Sequence, residues 1–147
     1  MRFPQFEAVQ EFNEVFGHAV RDIPTLDQPD LDSRLNIFLE EVAEIQTALT
    51  GYRKALDAVD AESADHWEVE FLDGLADALV TLCGLAQATG MPLAEAFDAV
   101  QESNMSKLGE DGKPIYYPMD HPLTPGKIAK GPNYKTPTED LKRLLGQ

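Results

Sequence analysis

The sequence predicts an all-α protein, four-helix-bundle-like, with a C-terminal arm rich in proline and glycine. Three observations carry this. Apolar residues recur at helical spacing through the first hundred positions. No convincing strand period competes with them. The stretch DGKPIYYPMDHPLTPGKIAKGPNYKTP, residues 111–137, then interrupts the helical pattern and reads as an ordered arm with a hairpin or turns. At 147 residues and 16.3 kDa the length fits one domain, a core over residues 1–109 and an arm over 110–147.

The first helix is expected from Pro4, a good first-turn residue, to just before Gly17, with the stripe Phe6, Val9, Phe12, Val15 and Phe16. The second has cap candidates Asp30, Asp32 and Ser33 and is expected to stop at Gly51. Its apolar residues are Leu35, Phe38, Leu39, Val42, Ile45 and Leu49. The pattern weakens from Tyr52 to Trp67, with a break expected near Ala61–Asp65. A third helix is expected from about His66 to Thr89, with Leu72, Leu75, Leu79 and Leu82 as its core stripe. Pro92 opens a fourth, in which Phe97 and Val100 should be core and which ends near Gly109. Thr138 can cap a last short helix.

Composition narrows the function. There are 12 Lys plus Arg against 26 Asp plus Glu, a formal charge of −14, which opposes nucleic acid and anionic membranes. The sign is unevenly spread, because residues 107–147 hold 7 basic and 5 acidic side chains. An acidic body with a basic tail suits a metal-bound polyphosphate. The single cysteine, Cys83, excludes an internal disulfide framework. The longest uncharged stretch, Ala78 to Ala94, is too short and too interrupted to span a bilayer. The opening MRFPQF has no apolar signal region, so a cytoplasmic location is expected, the host cytoplasm if the chain is phage-encoded.

Glu40, Glu41 and Glu44 fall within an arc of roughly 100° on the second helix, away from its apolar residues. Glu70, Asp73 and Asp77 fall within roughly 60° on the third. Alone, an EExxE is most simply a solvated acidic face. Two such arcs on consecutive helices meet at a groove if the helices pack antiparallel. Facing carboxylates are unfavourable there unless protonated or bridged by cations. Oxygen donors without clustered His or Cys point to Mg²⁺, with Mn²⁺ able to substitute.

EEVAE at Glu40–Glu44, a spacer, and helical LADALVTLCG from Leu75 resemble the MazG-like all-α nucleoside triphosphate pyrophosphohydrolases, whose pattern is EExxE followed by ExxD. The resemblance covers roughly residues 30–109 and includes SNMSK at Ser103–Lys107. It departs at Gly74, where the family has the glutamate of its ELAD. Either Asp73 or Glu70 replaces that residue, with Asp77 as the family aspartate, or Glu70-Phe71-Leu72-Asp73 is itself the ExxD. Gly74 is read as leaving room beside Asp77.

The resemblance implies hydrolysis of a (d)NTP to a monophosphate and pyrophosphate with Mg²⁺. The expected metal ligands are Glu41, Glu44 and Asp77, with Asp73 or Glu70 completing the set. Glu40 and Glu41 are the expected catalytic carboxylates, Glu40 as general base or orienter. Asn104 and Lys107 correspond to nucleotide contacts in the family. Lys130 and Tyr134 in KGPNY are expected to fold over the site, although a tail packed on a neighbouring subunit explains that segment as well. The resemblance further implies a homodimer or homotetramer. Related phage enzymes with SNMSK and KGPNY-like tails suggest dGTP; dUTP and phosphoribosyl-ATP are the alternatives. A rival of another class is a non-enzymatic acidic helical oligomerisation module, with acids spread over exposed faces and no dependence on metal.

Overall fold

A computed structural model describes residues 3–147. Among them are five helices, α1 (Pro4–Val15), α2 (Leu31–Asp57), α3 (Ala61–Ala88), α4 (Leu93–Met105) and α5 (Thr138–Leu144). The one β pairing among the described residues is an antiparallel bridge between Tyr116 and Ile128. The all-α expectation is met. No helix of the described residues is long and apolar enough to cross a membrane. The chain forms two compact units, whose described residues are 3–92 and 93–147.

In the first unit, α2 and α3 make a long helical hairpin. Gly51 does not stop α2, which runs on to Asp57; the turn is residues 58–60, where Val59 takes φ 53°. Asp60 then caps α3, accepting from the Ser63 amide at 3.1 Å and the Ser63 hydroxyl at 2.7 Å. The expected break near Ala61–Asp65 is therefore helix, and α3 begins five residues before His66. Two close approaches fix the register. A Cβ built on Gly74 would meet Ile45 Cγ1 at 3.0 Å, and one on Gly51 would fall inside the Trp67 indole. Ile45 opposes Gly74 while Gly51 opposes Trp67, so the helices are antiparallel.

Glycine and alanine dominate the seam. The buried apolar residues of the described chain are Val9, Cys83 and six alanines, Ala48, Ala55, Ala64, Ala86, Ala88 and Ala129. The expected leucine stripe of α3 is not core here: Leu72 is 69% exposed, Leu75 46% and Leu79 37%. The α1 stripe likewise buries Val9 but leaves Phe12, Val15 and Phe16 exposed. A two-helix hairpin is too thin to enclose large side chains on every apolar face.

What joins α1 to α3 is polar. Asn13 donates from Nδ2 to Gln87 Oε1 at 2.8 Å, and Gln87 Nε2 donates to the Phe6 carbonyl at 2.8 Å. Exposed His18 is tied to this seam, its Nδ1 lying 3.0 Å from Asn13 Oδ1. The 16–30 loop caps the end of α3. Gln87 and Thr89 carbonyls accept from the Arg21 and Thr25 amides at 2.9 and 3.0 Å, and the Ala88 carbonyl accepts from the Arg21 guanidinium. The last carbonyls of a helix lack partners within it, and the loop supplies them. Arg21 also pairs with Asp30 at 3.0 Å.

In the second unit, the arm folds back on α4. The Tyr117 amide donates to Lys127 O and the Ala129 amide to Ile115 O, both at 2.8 Å, giving the hairpin that the Pro/Gly pattern predicts. Phe97 and Val100, expected in the core, are 50% and 38% exposed. Thr138 lies inside α5, whose N-cap is Pro137; its hydroxyl meets that of Thr136 at 2.8 Å.

Candidate functional site

The antiparallel register brings the two acidic arcs together. Counting from Ile45–Gly74 and Gly51–Trp67 places Glu41 level with Asp77 and Ala78. Glu41 is half-buried, and its Oε2 is buried with no hydrogen-bond partner among the described residues. Its pKa is raised above the ordinary glutamate value, first by burial and then by the charges of Glu44, Asp77, Glu40 and Asp73. Four of the other five acids picked from the sequence thus act on Glu41. Glu70 is not among the charges that act on it.

Gly74 has a structural reason. A side chain there would face α2, where Ile45 already stands. The motif glutamate is absent where the α2 backbone at Ile45 would lie 3.5 Å from a Cβ. Asp73, the preceding residue, carries the carboxylate that reaches Glu41 electrostatically.

The donors suit a hard divalent cation: all are carboxylate oxygens, and one buried oxygen lacks a partner. They do not form a closed cage as they stand. Among the described residues no group of three or more His, Cys, Asp or Glu is close enough to hold a metal ion.

In the second unit, Lys107 Nζ donates to Asn104 Oδ1 at 2.8 Å, one turn apart at the end of α4. The Gly131 amide donates to Lys107 O at 3.0 Å, in a contact where a Cβ on Gly131 would meet the Leu108 carbonyl at 2.2 Å. Beside it, Lys130 Nζ lies 4.5 Å from the centre of the Tyr134 ring. Two serines that sequence reasoning passed over hold this arrangement. Buried Ser103 donates from Oγ to Lys135 O at 2.7 Å, and the Lys135 amide donates to Ser106 Oγ at 2.9 Å. Their i,i+3 spacing within SNMSK was the available signal.

The family model for phosphoribosyl-ATP pyrophosphohydrolase matches residues 9–104. The chain belongs to that family. The match to this all-α, MazG-like family spans the acids of α2 and α3 and ends at Asn104, so Lys107, Lys130 and Tyr134 lie beyond it. A search of curated proteins returned no match.

Proposed function

We propose that this protein is a Mg²⁺-dependent nucleotide pyrophosphohydrolase that cleaves a (d)NTP, with dGTP preferred, to the monophosphate and pyrophosphate. Family membership supports the pyrophosphohydrolase class. The observation that carries the metal site is Glu41, an unpartnered buried carboxylate oxygen among four other acids of α2 and α3. Glu41, Glu44, Asp77 and Asp73 would hold the cation. A divalent cation held there would supply charge neutralisation for the triphosphate and activation of a water. Glu40 would take that water's proton or orient it. Asn104, Lys107, Lys130 and Tyr134 remain proposed substrate contacts, the lysines for phosphate.

Phosphoribosyl-ATP is the second reading, favoured by the family model itself. Exposed leucines on α2 and α3, among them Leu35, Leu39, Leu72 and Leu75, support a homodimer or homotetramer as the working state. A panel of dGTP, dATP, dCTP, dUTP and phosphoribosyl-ATP with Mg²⁺ or Mn²⁺ tests the proposal, with pyrophosphate and phosphate release measured separately. Pyrophosphate release that stops with chelator is expected. Phosphate release, or activity in Glu41→Gln equal to the parent, would overturn the assignment.

A further inference from the structure

The hairpin carries a groove that the acidic site does not use. It has a volume of about 650 Å³, and its lining includes Thr47, Gly51, Lys54, Asp60, Ser63 and Trp67; both oxygens of the Asp60 carboxylate are taken up by Ser63. It continues the face that bears the acids. On a wheel of α2, Glu40, Glu44, Thr47, Gly51 and Lys54 fall within an arc of roughly 80°. Gly51 lies seven residues beyond Glu44 and ten beyond Glu41, which is about 10 and about 15 Å along the helix axis at its ordinary rise, within the span of a nucleotide.

Gly51 fixes the aromatic wall. A Cβ there would sit 2.2 Å from Trp67 Cε2, so the indole rests on bare helix backbone and is held in place by it. An indole bordering an open groove is a surface on which a nucleobase can stack. At the groove's edge, Lys54 makes no ion pair with any described residue. An ammonium donates only. It matches the O6 acceptor of guanine, where adenine presents the N6 amino donor; N7 accepts in both.

We propose that this groove is the base pocket of the nucleotide site, with Trp67 as its aromatic wall and Lys54 selecting a 6-oxopurine. The inference rests on the pyrophosphohydrolase reading, and deepens it by assigning residues to base choice.

Trp67 is the single tryptophan, so its fluorescence reports the groove directly. The test titrates dGMP, dAMP and deoxyribose 5-phosphate into the full chain without metal. The expected result is a saturable change with dGMP at a concentration about tenfold lower than with dAMP, and none with the sugar phosphate. Lys54→Met should keep the response to both bases and remove the difference between them. Gly51→Ala, checked for helicity by circular dichroism, should weaken both by about tenfold, the scale of one lost stacking contact. Equal responses to dGMP and dAMP, or a difference unaltered in Lys54→Met, would overturn the base assignment. A signal that follows protein concentration and ignores nucleotide would give the groove to a second copy of the chain and overturn it too. The two readings fail separately. Metal-dependent hydrolysis with a flat titration removes only the base pocket; a selective titration with no hydrolysis of any nucleotide removes the enzyme assignment.

Discussion

Asp77 stands level with Glu41 across the α2–α3 seam, and its charge helps to raise the Glu41 pKa. Burial acts first and four neighbouring carboxylates add to it. The pair is unfavourable when both are ionised and nothing positive lies between them. A cation would reverse the sign of that interaction.

Glu41→Gln should therefore separate stability from function. The metal-free variant should melt at the parent's temperature or above it, while Mg²⁺-dependent turnover falls by orders of magnitude. Thermal scans with chelator and a pyrophosphate-release assay read the two effects.

The same residue sets a pH dependence. A carboxyl whose pKa is raised on folding binds its proton more tightly in the folded state. Its contribution to stability is complete below the unfolded glutamate value and is lost as pH rises through the folded one. The metal-free melting temperature should carry a component that declines with pH from the ordinary glutamate range upward, and Glu41→Gln should lack it. Excess Mg²⁺ should flatten the decline.

Restoring the family glutamate should not restore a fuller site. Gly74→Glu gains helix propensity but must place a carboxylate where Ile45 Cγ1 already lies 3.0 Å from the new Cβ. A net loss of about 1–3 kcal/mol is expected, as for overpacking. Urea denaturation checks it, and Ile45→Ala in the same chain should recover part of the loss.

The α1–α3 seam offers a cleaner measurement. Gln87→Met leaves Asn13 Nδ2 and the Phe6 carbonyl without their partner. The cost should be about 1–3 kcal/mol, the range for stranded buried polar groups. Adding Asn13→Leu should cost less than its effect alone, because the two residues share the bond.

Ser106→Ala should loosen the arm. The Lys135 amide loses its acceptor and should exchange with solvent faster, while α2 and α3 amides keep their protection. Hydrogen exchange resolved by residue distinguishes this local release from global destabilisation.

The helices were legible where spacing alone determines them. Pro4 opens α1, and the acids fall on single faces of α2 and α3, because both depend on helical pitch. Gly51 and the leucine stripe were misread because one sequence does not reveal what presses against a residue. Gly51 looks like a stop until Trp67 is found against it. Leu72 and Leu75 look like core until the partner helix buries alanine and glycine in their place. Asn13 and Gln87 stand 74 positions apart, and no local pattern couples them. The Gly74 departure became intelligible only when Ile45 was seen in its place.

A core of alanine, glycine, one valine and one cysteine has a calorimetric consequence. Among the described residues no leucine, isoleucine or phenylalanine is fully enclosed. The heat-capacity change of unfolding scales with apolar area exposed, so the isolated chain should show a small one and a shallow stability curve with temperature. If copies associate through the leucines of α2 and α3, the heat-capacity change per chain should rise with protein concentration. Association would then sharpen the melting transition as well as raise its midpoint.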